Sequence, residues 1–272
     1  EIVVPFCPES ALSGLADVDF HPGVVYRRTF RVPGEWRGGR VLLRFGAVDQ
    51  EAQVYVNGAL VGQHRGGYTP FCCDITRHVT QGDNTVMVFV RDDTRAAVQA
   101  TGKQSRLFHS HGCDYTRTTG IWQTVWLEHV PETYISSLRL TPDLPGGQVT
   151  IEAVVAGGCS RGTLAASASL AGKPMGQTTV RYTGQRAVAT LALAEVEAWS
   201  PQSPTLYDLA LTLTSEDGGR DEVQSYFGLR SVALSDRAIL LNDRPVFQRL
   251  ILDQGFYPDG IYTAPTDDAL RR

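Results

Sequence analysis

Long apolar runs are missing from this sequence, so no segment is long enough to cross a bilayer as a helix. Basic stretches are missing too, because 25 lysines and arginines are interleaved with 29 aspartates and glutamates along the chain. With a net charge of −4 and no basic stripe, we expect neither a nucleic acid nor a membrane surface as a partner. The apolar fraction of 42% is typical of a globular chain with adequate cores, and 272 residues suffice for two domains.

An export signal and a disulfide pattern are also missing. Residues 1–6 carry neither the basic start nor the long apolar stretch of a signal peptide, although a leader could have been removed. The five cysteines are an odd number without a repeated spacing, and adjacent Cys72 and Cys73 are poorly placed to bond each other. We therefore expect free, mostly buried thiols in a reducing compartment. This favours a cytoplasmic location and leaves the periplasm or secretion open.

Helical periodicity is almost absent between residues 24 and 252. Short β-branched and aromatic runs, separated by Gly, Asn, Asp and Pro, dominate instead. Residues 40–45 and 121–128 are each predicted to form one strand, and Asn57-Gly58 predicts a two-residue hairpin because both positions tolerate positive φ. The pattern predicts an all-β fold, a sandwich more than a barrel, with a first domain over residues 1–130.

After Val130-Pro131 the composition changes to short strands rich in Ala, Val and Thr at regular spacing. Seven are predicted, at residues 137–141, 148–155, 162–171, 176–182, 187–193, 206–214 and 222–227. Seven short strands in about a hundred residues are typical of an immunoglobulin-like sandwich. A second domain is therefore predicted over residues 131–230.

Residues 231–272 differ again. Asn242-Asp243 predicts a small hairpin, and the apolar residues 248–252 predict a buried strand of the kind found in parallel sheets. Thr266, followed by two acidic residues, predicts the N-cap of a helix. A strand followed by a helix is how a (β/α)8 barrel begins, so this segment is interpreted as the start of a truncated barrel.

Four further groups of segments stand out by their order and spacing. They are VVPFCPES at 3–10 with YRR at 26–28, FGAVD at 45–49 with VYVNG at 54–58 and GGYTPF at 66–71, GIWQTVWLE at 120–128, and WSPQSPTLY at 199–207 with FGLR at 227–230. Together they resemble glycoside hydrolase family 2, the family of β-galactosidases, β-glucuronidases and β-mannosidases. The β-galactosidase-like branch is the most similar. The resemblance implies a jelly-roll sugar-binding domain, an immunoglobulin-like domain and the start of a catalytic (β/α)8 barrel.

The resemblance also implies where the chemistry lies. Retaining glycosidases use two carboxyl groups, one as nucleophile and one as acid/base. In this family both are glutamates on later barrel strands, the acid/base following an asparagine, and no Asn-Glu dipeptide occurs here. No catalytic residue is therefore assigned within the chain. The expected function is that of the non-catalytic N-terminal portion of a glycosidase, binding a carbohydrate substrate and needing no cofactor.

The segment 109–117 concentrates groups suited to holding a sugar. By its position before the Gly-Ile strand, Asp114 resembles the family aspartate that binds the terminal sugar, and His111 lies beside it. The alternative is a carboxylate that pairs with Arg117 and orders the turn. His109, His111 and Cys113 alternate as zinc ligands could, but three ligands on one strand face rarely close a tetrahedron, so no metal site is predicted.

Asp253 and Gln254 follow the predicted barrel strand at the end where barrel enzymes place functional groups, and they are predicted to line the same sugar site. Trp122 and Trp126 are interpreted as core residues sharing one strand face, and Gly66-Gly67 as turn chemistry alone. The rival hypothesis is a stand-alone carbohydrate-binding module or an adhesin-like protein. A barrel strand in residues 248–252 would argue against it.

Overall fold

The computed structural model describes residues 1–96 and 98–271, and in its strands apolar and polar residues commonly alternate. Strands make up 49% of the chain and helix 3%, which confirms the all-β prediction. Contacts divide the chain into a first unit, Glu1–His129 with Leu252–Arg272, and a second unit, Val130–Ile251. None of the described helices has the length and apolar character needed to cross a membrane.

The first unit begins with a 3-10 helix, Ala11–Ser13, and continues as short strands. They are β1 (Gly23–Phe30), β2 (Arg40–Phe45), β3 (Val48–Asp49), β4 (Glu51–Val56), β5 (Ala59–Arg65), β6 (Phe71–Asp74), β7 (Asn84–Arg91), β8 (Gly120–Ile121) and β9 (Val125–Val130). They form sheets of order β1-β7-β4-β5, β6-β2-β9 and β3-β8. The pairings β1–β7, β2–β6, β3–β8, β4–β5 and β4–β7 are antiparallel.

Period-two burial holds these strands in register. In β4 the side chains of Ala52, Val54 and Val56 are buried and those between them face outward. The buried set packs in one cluster with Phe45 and Ile75, both fully buried. The predicted hairpin is confirmed, with φ values of 49° at Asn57 and 85° at Gly58 between β4 and β5.

The predicted strand over residues 121–128 is wrong in one respect, because the chain leaves one sheet and enters another between Ile121 and Val125. Trp122 lies in this break, half-buried, and Trp126 is 42% exposed on the outer face of β9. The core-facing residues of β9 are Val125 and Leu127. The two tryptophans therefore do not form a core pair.

The second unit confirms the seven predicted strands. They are β10 (Thr133–Asp143), β11 (Gln148–Gly157), β12 (Arg161–Leu170), β13 (Lys173–Thr183), β14 (Arg186–Ala192), β15 (Tyr207–Ser215) and β16 (Arg220–Phe227). Two antiparallel sheets result, of order β10-β11-β14 and β13-β12-β15-β16, and their buried side chains form one core cluster.

Tyr207 is a fully buried polar side chain in this core. Its ring stacks on Phe227 at 5.2 Å, while its phenol donates to the Glu195 carbonyl at 3.0 Å and accepts from the Glu197 amide at 2.7 Å. One side chain thus fills core volume and ties the segment before β15 to the sandwich.

A three-stranded sheet of β17 (Val232–Leu234), β18 (Ile239–Leu241) and β19 (Arg244–Val246) follows. The predicted hairpin is confirmed, with positive φ at Asn242 and Asp243. The strand predicted at 248–252 is wrong, because these residues are extended without strand pairing and Leu250, Ile251 and Leu252 are at least 79% exposed. A barrel strand needs neighbours on both sides, and no described residue supplies one.

Residues from Leu252 onward cluster with the first unit, and residues 231–251 cluster with the second. Ile261 is 3% exposed there, and the Asp259 carbonyl accepts hydrogen bonds from the Ser10 hydroxyl at 2.6 Å and the Leu12 amide at 3.3 Å. The chain ends in α1 (Asp267–Arg271). Its predicted cap is confirmed, because the Thr266 hydroxyl accepts from the Ala269 amide at 3.2 Å.

All five cysteines are free, as expected, but they are not mostly buried. Cys7 and Cys73 are buried, whereas Cys72 and Cys113 are exposed and Cys159 is intermediate. Cys72 alternates with Cys73 along β6, so only one of the two faces the core.

We predict that Tyr207→Phe lowers the free energy of unfolding of the second unit by about 1–2 kcal/mol, because two hydrogen bonds to the segment before β15 are lost while the ring stack stays. The matched control is Tyr226→Phe on the neighbouring strand, where the side chain is 66% exposed and the change should stay within about 0.5 kcal/mol. Urea unfolding of both variants measures the difference. Equal stabilities would contradict a structural role for the phenol.

Candidate functional site

The loop at residues 104–116 is organised around the fully buried hydroxyl of Ser105. This Oγ donates to the His109 carbonyl at 2.8 Å, accepts from the Leu107 amide at 3.0 Å and lies 2.9 Å from His111 Nδ1. Because Ser105 has one proton and donates it to the carbonyl, His111 Nδ1 must carry the hydrogen of the third contact. In the neutral ring, His111 Nε2 is then an acceptor at the exposed end of the side chain.

Asp114 is held by a tight turn against His111. The His111 amide donates to the Asp114 carbonyl at 3.0 Å, the Asp114 amide returns a bond of 2.9 Å, and Gly112 supplies a φ of 55° inside the turn. The Asp114 side chain is half-buried, and among the described residues its Oδ1 lies 3.9 Å from the Cys113 thiol. The backbone is fixed while the carboxylate is left to accept from another partner.

The alternative pairing of Asp114 with Arg117 is not found among the described residues. Arg117 is 1% exposed, and its guanidinium donates to the carbonyls of Leu107 and Val18. It also lies 3.7 Å above the centre of the Phe20 ring. Arg117 therefore orders the loop through backbone oxygens and an aromatic face, without using the Asp114 carboxylate.

Asp49 is a buried carboxylate that bonds to the start of this loop. It is 2% exposed, and its Oδ2 accepts from Gln104 Nε2 at 2.6 Å, while Gln104 Oε1 accepts from the Thr118 amide at 3.0 Å. A Cβ at Gly67 would lie 2.3 Å from Asp49 Oδ1. Interpreting Gly67 as turn chemistry alone is therefore wrong, because its missing side chain makes room for a buried carboxylate.

Three buried carboxyl groups share this region. Burial, together with the charges of Asp92 and Glu9, raises the pKa of Asp49 to about 7, while a hydrogen bond from Gln104 opposes the shift. Burial likewise raises the pKa of Asp92 to about 6, with Gln99 opposing it. Each group is less than 5% exposed, so its ionised form is poorly solvated.

Three aromatic rings, Tyr68, Trp122 and Tyr262, form a triad beside this network. Tyr68 and Trp122 meet at 5.6 Å, Trp122 and Tyr262 at 5.7 Å, and Tyr68 and Tyr262 at 6.3 Å between ring centres. The indole N–H of Trp122 donates to the Gly67 carbonyl at 2.8 Å. Tyr68 is 53% exposed, so the triad presents an aromatic surface to solvent.

Tyr262 of the triad lies within electrostatic range of the Asp114 carboxylate. Burial raises the pKa of the Tyr262 phenol, and the charges of Asp49 and Asp114 raise it further, against a hydrogen bond from Tyr68 that lowers it. The same electrostatic neighbourhood includes Tyr115. A carboxylate and an aromatic surface therefore belong to one region of the first unit.

The structure also brings one of the two later candidates to this region. Gln254 Oε1 accepts a hydrogen bond from the Tyr115 phenol, one residue after Asp114. Phe256 stacks on the Tyr115 ring at 4.9 Å. Asp253 is exposed instead, and its Oδ1 accepts from the Gly255 amide at 2.9 Å, within its own turn.

Sequence reasoning missed Tyr68, Tyr115 and Tyr262 as members of this site. The available signal was position, since Tyr115 follows Asp114 and Tyr68 lies in the GGYTPF segment. Nothing local marks Tyr262. Among residues 1–96 and 98–271, no group of three His, Cys, Asp or Glu side chains is placed to hold a metal ion, His109, His111 and Cys113 included.

These observations define a class of protein: a two-unit β-sandwich with a carboxylate and aromatic rings gathered at loops of the first unit. Residues 15–131 match the family model "Glycosyl hydrolases family 2, sugar binding domain", and residues 133–230 match "Glycosyl hydrolases family 2". The two matches cover well over half of the chain. The chain belongs to glycoside hydrolase family 2.

Similar proteins include a β-galactosidase of Thermoanaerobacter pseudethanolicus, 28% identical over 78% of this chain and 28% of its own length. A β-glucuronidase of Paenibacillus borealis is 27% identical over 80% of this chain and 38% of its own. A solved β-glucuronidase of Bacteroides uniformis shares the fold, with a TM-score of 0.75 at 23% identity, over 93% of this chain and 32% of that one. The chain thus spans about a third of the length of these relatives.

We predict that the first unit is more stable at pH 5 than at pH 8. A carboxyl whose pKa is higher in the folded state binds more protons folded than unfolded, so stability is complete below the unfolded pKa of about 4 and is lost as pH rises through the folded pKa. For Asp49 and Asp92 the window is about pH 4 to 7, and the loss is on the order of a few kcal/mol.

Amide exchange in β3, β4 and β8 across pH 5–8, corrected for intrinsic rates, measures this slope. Asp49→Asn should reduce the slope to the smaller part that Asp92 contributes. The control, Asp83→Asn, should leave it unchanged, because pairing with Arg31 lowers the pKa of Asp83 out of the window. A slope of unchanged size in Asp49→Asn would show that Asp49 does not contribute to it.

Proposed function

We propose that this chain is the non-catalytic N-terminal portion of a retaining β-glycosidase of the β-galactosidase type, and that Asp114 binds the terminal sugar of the substrate. The observation that carries the proposal is that the Asp114 carboxylate is held in place but has no cation partner among the described residues. Its backbone is fixed by two hydrogen bonds to His111, while its half-buried carboxylate pairs with no cation among the described residues.

The chemistry of the surroundings supports sugar binding. A carboxylate can accept from two neighbouring hydroxyl groups, and such charge-assisted bonds are stronger than neutral ones. An aromatic surface suits the apolar C–H side of a sugar ring, and Tyr68 and Tyr262 supply one nearby. His111 Nε2 and Gln254 add one acceptor and one amide to the same region.

The catalytic carboxyl groups belong elsewhere in this proposal. Asp49, Asp92 and Glu9 are each less than 5% exposed, so none of them is open to a glycosidic bond. We assign the jelly-roll role to residues 1–130, the immunoglobulin-like role to residues 131–230, and the lead into a (β/α)8 barrel to residues 231–272. Leu250, Ile251 and Leu252 form no strand in this structure, and their exposed apolar side chains support a packing partner for this segment in the complete protein.

A reducing compartment is proposed for the chain, and with it the cytoplasm. Cys72 and Cys113 are exposed free thiols, which would be open to oxidation outside such a compartment.

We expect Asp114→Ala in the complete enzyme to lower kcat/KM for a nitrophenyl β-glycoside by about tenfold to a hundredfold, since charge-assisted hydrogen bonds contribute about 1.5–3 kcal/mol. The melting temperature should stay within experimental error, because the carboxylate has no cation to lose among the described residues. Asp236→Ala, an exposed loop carboxylate near β18, is the control. Intact kinetics with a lowered melting temperature would make Asp114 a structural residue.

Residues 1–272 alone should hydrolyse no nitrophenyl β-glycoside, because a nucleophile and a general acid are both required and neither is proposed here. The purified chain is assayed against a panel of β-galactoside, β-glucuronide and β-mannoside substrates. Turnover that survives repurification and disappears in a point variant of this chain would overturn the division of roles.

A further inference from the structure

Tyr115 is held by backbone hydrogen bonds within its loop and also makes side-chain contacts with a distant segment of the chain. Its backbone is tied on both sides, because the Tyr115 amide donates to the Lys103 carbonyl at 2.7 Å and the Ser105 amide donates to the Tyr115 carbonyl at 2.7 Å. The direction of the side chain is therefore set by the loop framework. That side chain leaves the loop and contacts Gln254 and Phe256, 139 and 141 residues further along the chain.

The segment at 253–257 has few other supports. Asp253 and Gly255 are exposed, and the Gly255 amide donates to Asp253 Oδ1 within the segment itself. Tyr257 pairs with Ile261 through two backbone bonds, so firm anchoring starts only there. The phenol bond and the ring stack of Tyr115 link Gln254 and Phe256 to the loop at residues 104–116.

We propose that Tyr115 is a positioning residue, which joins the Asp114 turn to the 253–257 segment and so makes Asp114 and Gln254 parts of one sugar-binding site. This inference rests on the proposed function of Asp114. Tyr115 itself need not touch the substrate. It acts through the amide that it orients and through the ring of Phe256 that it holds.

The hydrogen bond also sets the polarity of the site. The Tyr115 phenol donates to Gln254 Oε1, which leaves the Nε2 hydrogens of that amide as the groups to offer to a ligand. Asp114 offers only acceptors. The pair is therefore complementary to a sugar that donates from one hydroxyl group and accepts at another oxygen, and a flipped Gln254 amide would lose this match.

The test separates the phenol from the ring. Tyr115→Phe removes the donor and keeps the stack on Phe256, whereas Tyr115→Leu removes both. Tyr55→Phe is the matched control, because Tyr55 also donates to a glutamine, Gln53, at 3.4 Å in the same unit. Gln254→Met removes the acceptor while keeping most of the side-chain volume.

The first readout uses residues 1–272 and does not depend on activity. Amide exchange at residues 254–257 should be about threefold to tenfold faster in Tyr115→Phe, as expected for the loss of one hydrogen bond, and faster still in Tyr115→Leu. Exchange in β4 and β7 should not change in either variant, nor should residues 254–257 change in Tyr55→Phe. Unchanged exchange at 254–257 in both Tyr115 variants would overturn the inference.

The second readout is the KM of the complete enzyme for a nitrophenyl β-glycoside. Tyr115→Phe and Gln254→Met should each raise KM by about threefold to tenfold, and the double variant should be no worse than the poorer single variant, because the residues act as one unit. Faster exchange with an unchanged KM, while Asp114→Ala is impaired, would overturn the role in substrate binding and leave the proposed function standing. Intact kinetics in Asp114→Ala would overturn the proposed function itself.

Discussion

The hydrogen bond between the buried Asp49 carboxylate and Gln104 is the constraint on which the candidate site depends. In a low-dielectric interior the loss of such a bond leaves a charged or polar group without solvation, so the bond strongly favours one loop conformation. The Gln104 side chain also accepts from the Thr118 amide, so it joins Asp49 to the far end of the loop. The residues on either side of Gln104 bond to the backbone of Tyr115 and so fix its position. Gly67 is part of the same constraint, because only a residue without a side chain leaves space for the carboxylate.

The loop at residues 104–116 combines a fixed backbone with uncommitted side-chain atoms. Ser105, Gln104 and Arg117 are buried and saturate main-chain groups, whereas Asp114 and the outer nitrogen of His111 face outward. This division suits recognition of a polyhydroxylated ligand, because orientation is established before binding and little conformational entropy is lost when the ligand arrives. The aromatic triad adds a surface whose position is set by ring contacts and by the indole bond to Gly67.

Sequence patterns predicted the features that depend on near neighbours. Alternation in β4, positive φ at Asn57-Gly58 and the Thr266 cap are decided within a few residues, and all three are found. The break after Ile121 was not predictable, because Trp122 fits an alternating strand while its ring contact with Tyr262 lies 140 residues away along the chain. Family resemblance pointed to Asp114 and Gln254, but their connection through Tyr115 joins distant parts of the chain and leaves no local trace.

The return of residues 257–263 to the first unit has a consequence for synthesis on the ribosome. Ile261 is buried there, Thr263 donates to the Trp122 carbonyl at 2.5 Å, and Asp259 accepts from the Ser10 hydroxyl. The first unit therefore cannot complete its packing until more than a hundred residues of the second have been translated. The continuous second sandwich can close on itself as soon as it emerges, so the N-terminal unit is the later of the two to mature, against the usual N-to-C order of domain folding.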